Sequence, residues 1–247
     1  MPVKPSTRSK SRKLQRRGQQ TAEDCAFLLT KMKSMSNPAA VQGMARFSIT
    51  AKKAYGLSTP ELRRLAREVG KDHVLAQKLW ASEILDARAL AGLIDEPENV
   101  SEWQMEQWVK DFDSWAVCDG ACLNLFRYTP FAYRKCLEWS SRKEEFVKRA
   151  AFSLMAGLAV SDKAAPDQVL LSFLPLIKRE ATDERNFVRK AVNWALRQIG
   201  KRNRRLNRAA IKTAREIHEL DSKSARWIAS DALRELKSPT VQKRLKA

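Results

Sequence analysis

The amino-acid sequence predicts an all-α protein, and three observations support that fold class. Glycine and proline, which punctuate the many turns of β proteins, are scarce, with 8 glycines and 9 prolines among 247 residues. Apolar residues recur at helical spacing, as in the series Leu62, Leu65, Ala66 and Val69. One segment also returns after about 40 residues, which is a period typical of paired helices.

Capping residues place individual helices along the chain. We expect one helix to begin at Thr21, which stands three residues before Asp24. We expect another at Thr59, with Thr59 as the N-cap and Pro60 at the first helical position. Turns between helices are expected at residues 95–99, 161–166 and 181–184. No convincing alternating pattern of a β-strand occurs in the sequence.

An internal repeat predicts how the helices are arranged. Residues 145–151 (EFVKRAA) return as residues 186–192 (NFVRKAV), 41 residues later, and residues 195–197 have a weaker echo at 232–234. Periods near 40 that hold a helical pair are typical of HEAT-like solenoids, in which each pair stacks on the next. We therefore expect a HEAT-like helical-repeat solenoid with a concave basic surface. The basic residues of the repeat would stand on it in register, namely Lys148, Arg149, Arg189 and Lys190.

The first 20 residues differ in composition from the rest of the chain. They contain seven basic residues, no acidic residue and almost nothing apolar, so they cannot bury enough surface to become ordered. We expect residues 1–20 to form a disordered basic arm and residues 21–247 to form a single solenoid domain. A mitochondrial transit peptide has a similar composition and is the alternative interpretation of the arm.

Positive charge dominates the chain. Its 47 lysines and arginines outnumber 28 aspartates and glutamates, which leaves a formal net charge of +19. Such an excess attracts polyanions, and nucleic acid is the leading partner that it predicts. An acidic membrane surface is the weaker alternative, because no strongly apolar face accompanies the lysines. No stretch approaches the ~18 consecutive apolar residues of a membrane-spanning helix.

The four cysteines are too few for a disulfide framework in a chain of this size. Cys118 and Cys122 stand four residues apart, as two metal ligands on a helix would, but no histidine stands at a recognisable spacing from them. We therefore expect reduced, buried cysteines, no metal and no cofactor. The predicted location is the cytoplasm, in association with a bacterial nucleoid.

Residues 197–215 form an unbalanced basic run with eight cations and no acid. A solvated helix face usually mixes charges of both signs, so this run favours contacts with phosphates, and a solvated face is the alternative interpretation. The candidate DNA-binding residues from the run are Arg197, Lys201, Arg202, Arg204, Arg205 and Arg208.

One aspartate and two tryptophans are candidates for a chemical role. Trp115 stands four residues before Asp119, so both lie on one face if a helix continues through them. Trp194 stands between Lys190 and Arg197 at helical spacing. The simplest interpretation makes the tryptophans core residues and Asp119 a helix N-cap. A carboxylate among aromatic rings and cations would also stabilise the oxocarbenium ion that forms when an N-glycosidic bond breaks.

With these residues the chain resembles the AlkD-type DNA alkylation repair enzymes, which are HEAT-like DNA glycosylases that excise positively charged N3- and N7-alkylated purines. The resemblance spans about residues 25–236. It rests on an N-terminal region at 37–47 and 56–63, on the W-x-x-x-D element at 115–119, and on helices at 146–151 and 187–197.

The resemblance implies a role for each matching residue. Asp119 would be the catalytic carboxylate, Trp115 and Trp194 would flank the sugar and phosphate of the lesion, and Arg149 and Arg197 would hold the DNA backbone. Phe47 would be a DNA-binding residue that stands where the relatives have tyrosine, so its aromatic ring remains but one hydroxyl contact to DNA is missing. A lysine of the family is replaced near Gly157.

The chemistry of such a reaction fits the composition. An alkylated purine already carries a positive charge and leaves without being protonated, so the reaction needs no general acid. The chain has only two histidines and therefore few candidates for a general acid. We therefore expect a monomeric, monofunctional glycosylase acting on duplex DNA that contains alkylated bases. A non-catalytic binder of branched or damaged DNA and a HEAT-type protein-interaction scaffold are the alternatives.

Overall fold

The computed structural model describes residues 7–49 and 53–245, with side chains from residue 18 onward. Every regular element within these ranges is helical, which confirms the predicted all-α fold class. The chain divides into two compact units, residues 1–100 and 101–247, where the sequence predicted one domain from residue 21 onward. That the two units act as one domain, with a concave basic surface, stays a prediction.

The first unit contains five α-helices and a 3-10 turn within the described residues. They are α1 (Thr7–Ser34), α2 (Pro38–Met44), the 3-10 turn Ala45–Phe47, α3 (Thr59–Val69), α4 (His73–Ala81) and α5 (Leu85–Ile94). Helix α4 packs against α1 and α5, and α5 packs against α3. Their apolar faces form the core, in which Met32, Leu65, Leu79 and Leu90 are fully buried.

A buried carboxylate holds the loop that precedes α3. Asp86 accepts hydrogen bonds from the backbone N–H groups of Tyr55 at 2.6 Å and Leu57 at 2.7 Å. Gly56 between them has a φ of +79°, and a Cβ atom there would lie 2.5 Å from the carbonyl oxygen of Asn37. Asn37, which caps α2, donates its backbone N–H to the carbonyl oxygen of Tyr55 at 2.8 Å, so Asp86 and Gly56 together hold the loop against the start of α2.

The second unit contains the repeat. Its helices are α6 (Glu102–Lys110), α7 (Trp115–Asn124), α8 (Ala132–Ser140), α9 (Glu145–Ser161), α10 (Asp167–Leu171), α11 (Leu174–Glu180), α12 (Asn186–Gly200), α13 (Arg204–His218), α14 (Lys223–Leu236) and α15 (Pro239–Arg244), with a 3-10 turn at Phe126–Tyr128. Helix α9 packs against α7, α8 and α12, and α12 packs against α11, α13 and α14. The helices therefore form successive stacked pairs, α8 with α9, α11 with α12, and α13 with α14.

Equivalent residues of the sequence repeat meet in this stack. The rings of Phe146 on α9 and Phe187 on α12 have centroids 5.4 Å apart. The residues that follow them, Val147 and Val188, are both buried. The 41-residue period thus corresponds to the step from one helical pair to the next, as the sequence predicted.

Two predicted helix starts are wrong. Helix α1 already includes residue 7 and continues through Thr21, which is a buried residue within it. Helix α3 is capped by Ser58 instead of Thr59, because the Ser58 N–H and hydroxyl both donate to the Glu61 carboxylate and close a capping box. The three predicted turns do separate helices.

The predicted basic arm lies only partly within the described residues. Residues 1–6 lie outside them, and residues 7–20 belong to α1. Among the side chains of α1 that the structure describes, from residue 18 onward, those of Thr21, Cys25, Leu28 and Met32 are buried. That residues 1–20 act as a separate basic arm stays a prediction.

Candidate functional site

Helix α7 places Trp115 and Asp119 on one face. Ser114 is the N-cap, since its hydroxyl accepts a hydrogen bond from the backbone N–H of Val117 at 3.4 Å. Trp115 is therefore the first residue of the helix, and Asp119 follows one turn later, as the spacing predicted. The alternative interpretation of Asp119 as an N-cap is wrong, because Ser114 fills that position.

The carboxylate of Asp119 is held by donors from α9. Arg149 donates from Nε to Oδ1 at 3.0 Å and from Nη2 to Oδ2 at 2.7 Å. The hydroxyl of Ser153, one turn further along α9, donates to Oδ1 at 2.7 Å. The Asp119 side chain is 15% exposed. Asp119 is thus fixed in position at a partly open site.

Arg149 extends this arrangement to a third helix. Its Nη1 atom donates a hydrogen bond of 2.7 Å to the carbonyl oxygen of Phe187, in the first turn of α12. Burial alone would lower the pKa of Arg149, but the charge of Asp119 and the hydrogen bonds to it raise that pKa above its ordinary value. The guanidinium is therefore a charged, buried link between α7, α9 and α12, and a contact between it and DNA stays a prediction.

The tryptophans differ in burial. Trp80, Trp108 and Trp139 are core residues. Trp115 and Trp194, which the sequence singled out, are both half-buried, so part of each indole reaches the surface of the second unit. Two further tryptophans are exposed, Trp103 and Trp227.

The basic residues of the repeat have different surroundings at equivalent positions. Lys148 is nearly buried and pairs with Glu180 and Asp183. Its equivalent, Arg189, lies over the ring of Trp227 with 5.1 Å between the guanidinium carbon and the ring centroid. Lys190 is exposed, whereas its equivalent Arg149 is buried against Asp119. The expected register is present in the helices, but only part of it is a row of exposed charges.

Two carboxylates of α14 balance the start of the basic run. Arg197 pairs with Glu235 and lies 3.6 Å from Asp231, and Lys201 pairs with Glu235 at 2.6 Å. Sequence reasoning missed both acids, because they follow the cations by 34 or more residues. The echo between residues 195–197 and 232–234 is the one signal that could have brought α12 and α14 together.

The other cations of the run lie at the surface or on backbone carbonyls. Arg202 donates to the carbonyl oxygens of Ala159 at 3.1 Å and Ala165 at 3.4 Å. Arg204 donates to the carbonyl oxygen of Leu245 at 3.0 Å. Arg205 and Arg208 are exposed on α13 and remain accessible to a phosphate backbone.

A comparison with protein families identifies the chain. The family model of the DNA alkylation repair enzymes matches residues 28–236. The chain belongs to this family.

A solved structure supports the fold of this family member. It represents a family of proteins related to the HEAT-like repeat DNA glycosylases with affinity for branched DNA structures. Superposition gives a TM-score of 0.70 at 18% sequence identity and covers 85% of this chain and 94% of the other. At 18% identity, this structural similarity is evidence for the fold. The chain therefore has the predicted HEAT-like repeat fold. A sequence search of curated proteins finds no match.

Phe47 and Gly157 mark the two departures from the family pattern, and the structure shows what surrounds each of them. Phe47 lies in the 3-10 turn of the first unit and is 68% exposed. Gly157 is buried where α9 crosses α7, and a Cβ atom there would lie 2.7 Å from a methyl carbon of Leu123. A side chain at Gly157 would therefore require the flexible end of the Leu123 side chain to shift.

The four cysteines lie in the interior of the protein. All four are buried and free of disulfides, and the Cys118 and Cys122 thiols lie 3.6 and 3.7 Å from backbone carbonyl oxygens of α9. Burial raises the pKa of the Cys118 thiol well above its ordinary value. Within residues 7–49 and 53–245, no three His, Cys, Asp or Glu side chains form a metal-binding group.

No helix among the described residues combines the length and the apolar character that crossing a membrane requires.

Proposed function

We propose that this protein is a DNA glycosylase that excises positively charged N3- and N7-alkylated purines from duplex DNA. The observation that carries the proposal is the Asp119 carboxylate, which three hydrogen bonds hold on α7 one turn from the half-buried Trp115. A protein that only binds DNA has no need of a carboxylate on its DNA-facing surface, because the negative charge repels phosphate.

The reaction uses this carboxylate as a fixed negative charge. The bond between C1′ and the purine nitrogen breaks, both electrons leave with the purine, and the base departs neutral. Positive charge grows on the deoxyribose, and Asp119 stabilises it without having to reorganise. Water then adds to C1′ and loses its proton to solvent, which leaves an abasic site.

The ion pair with Arg149 reduces the net charge of the site but leaves one acceptor position of Asp119 open. A carboxylate has about four acceptor positions, and Arg149 and Ser153 occupy three of them. One position remains for the attacking water or for a hydrogen of the sugar. Trp115 and Trp194, both half-buried, supply ring faces that attract developing positive charge.

A non-catalytic binder of branched or damaged DNA is the second candidate function. Arg149 supports it, because an ion pair with Arg149 reduces the repulsion that Asp119 exerts on phosphate. The structural neighbour with affinity for branched DNA has the same fold. On this alternative, the Asp119–Arg149 pair serves only to join helices.

Release of 7-methylguanine from methylated duplex DNA distinguishes the two functions. We expect Asp119→Asn to slow release about 100-fold or more, which is the usual loss when one charge-stabilising group is removed. Binding of the same duplex should stay equal or become tighter. Chromatography of the released base and an anisotropy titration measure the two quantities.

Asp183→Asn is the matched control. Asp183 accepts two hydrogen bonds from Arg185 in the same geometry, Nε to Oδ1 and Nη2 to Oδ2, and is similarly buried. Equal release by Asp119→Asn and Asp183→Asn would contradict a catalytic Asp119. Tight binding of branched DNA without any base release by the unsubstituted protein would support the second candidate.

A further inference from the structure

A cavity of about 330 Å³ lies in the second unit, beside the C-terminal ends of α9 and α12. Ligand sites for small molecules begin at about this volume. Ala159 on α9, ten residues after Arg149, is part of its wall. The cavity is thus about 15 Å along the helix from the Asp119 ion pair, at the rise of an α-helix.

Four cationic side chains converge on this cavity from different segments. They are Lys163 in the turn after α9, Lys201 and Arg202 after α12, and Arg244 in the last turn of α15. Glu235 pairs with Lys201 at 2.6 Å from outside the lining, and within the described part of the chain no acidic side chain belongs to the lining itself. Gathering like charges costs Coulomb energy, which a bound anion would offset.

Several N–H donors of these cations are not used in hydrogen bonds to the residues that the structure describes. A guanidinium has five N–H donors. Arg202 uses two of its five on the carbonyl oxygens of Ala159 and Ala165, and Arg244 uses one on the carbonyl oxygen of Lys201. The carbonyl bonds orient both guanidinium groups, and the Asp162 carboxylate offsets part of the charge of Arg202. Lys163 is exposed, and its ammonium has no hydrogen-bond partner among the described residues.

The lining also includes an apolar part. Val160, which is 47% exposed, and Leu245 contribute to the wall together with Ala159. A site for a bare inorganic anion has no use for this surface. A ligand that combines a strongly charged group with a less polar body would cover both parts of the lining.

We propose that this cavity binds a nucleoside phosphate monoester, the group that ends a phosphorylated DNA strand and that also exists as a free mononucleotide. A phosphate monoester carries a charge of about −1.5 to −2 near neutral pH, against −1 for a backbone diester, and so better matches the excess of positive charge left after Lys201 pairs with Glu235. The sugar or base would lie on Val160 and Leu245. The inference rests on the proposed action on DNA, but not on base excision.

Binding of strand ends tests the proposal with unmethylated DNA, so its outcome is independent of glycosylase activity. The probes are two oligonucleotides of one sequence, one with a 5′-phosphate and one with a 5′-hydroxyl. We expect the protein to bind the phosphorylated strand about tenfold more tightly, as one charge-assisted hydrogen bond would provide. The readout is the ratio of the two dissociation constants, because the loss of any cation weakens DNA binding in general.

The variant Lys163→Ala/Arg244→Ala should bring this ratio close to one, while Lys143→Ala/Lys223→Ala leaves it unchanged. All four side chains are exposed, so neither variant disturbs the core, and thermal unfolding verifies that both fold. Competition by free dAMP would assign the site to mononucleotides as well as strand ends, and its absence would restrict the site to strand ends. A ratio of one in the unsubstituted protein, or an unchanged ratio in Lys163→Ala/Arg244→Ala, would overturn the proposal.

Discussion

Arg149 and Asp119 form a two-pronged ion pair across the contact between α7 and α9, with N–O distances of 3.0 and 2.7 Å. The same guanidinium donates to the carbonyl oxygen of Phe187 on α12. One side chain therefore connects the proposed catalytic carboxylate to the next helical pair of the repeat. Stability and chemistry depend on the same contact, so each has to be measured separately.

The pair should show a large coupling energy in unfolding experiments. Arg149→Met leaves Asp119 without its partner in a mostly buried place, and we expect a loss of about 3 kcal/mol in the free energy of unfolding. Asp119→Leu/Arg149→Met removes both charges and should lose less than the sum of the two single variants. Urea denaturation measures all three values. Additive losses would mean that the two charges do not stabilise each other.

Glu235 should compete with DNA for Arg197 and Lys201. Both cations pair with this carboxylate, so Glu235→Gln releases them toward phosphate. We expect DNA binding to tighten about threefold to tenfold, and the slope of log K against log salt to steepen by up to about 2. Glu216→Gln is the control, because it removes the same charge from a pair with Lys178 on α11. Equal effects of both variants would mean that only net charge matters.

Substitutions at two glycines with nearly the same positive φ distinguish the cost of backbone strain from the cost of steric crowding. Gly70 has a φ of +78° with a ψ of −163°, a region that essentially only glycine adopts, and nothing lies within 4 Å of a Cβ position, so Gly70→Ala should cost about 1–3 kcal/mol of unfolding free energy. Gly56 has a φ of +79°, and the carbonyl oxygen of Asn37 would lie 2.5 Å from its Cβ. Gly56→Ala should therefore cost at least about 1 kcal/mol more. Thermal unfolding compares the variants, and equal costs would show that the loop relaxes.

Acid should destabilise the protein through Asp183. Burial raises the pKa of Asp183, but hydrogen bonds from Arg185 and Lys148 prevail and lower it from 3.8 to about 2. A carboxyl whose pKa is lower in the folded state stabilises that state above the unfolded value and loses this effect as the pH falls. The free energy of unfolding should thus decrease between about pH 4 and pH 2.

Asp183→Asn should reduce this decrease when urea denaturation is repeated across the pH range. Asp113→Asn is the control, since Asp113 is exposed in the loop between α6 and α7. An identical pH dependence in both variants would exclude Asp183 as a source of acid sensitivity.

Local patterns in the sequence were sufficient to predict several elements of the site. The four-residue spacing of Trp115 and Asp119 predicted one helix face, and α7 continues through both residues. The repeat of Phe146 and Phe187 predicted stacked helices, and their rings are in contact. Such predictions succeed because helical periodicity and capping depend on residues within a few positions of one another.

The helix starts show the limit of such local rules. Thr21 looked like an N-cap, yet the surrounding residues continue the helix and Thr21 is buried within α1. Helix formation is cooperative and packing decides between competing caps, so a favourable capping residue does not by itself begin a helix.

By itself, the amino-acid sequence determined the helical content, the period of the stack, the excess of positive charge and the shared face of Trp115 and Asp119. Only the tertiary structure decided which charges are paired. Arg149 meets Asp119 across 30 residues, and Arg197 meets Glu235 across 38. The physical reason is that an ion pair between helices requires two side chains to come within about 4 Å, and that distance is set by the packing of the stack.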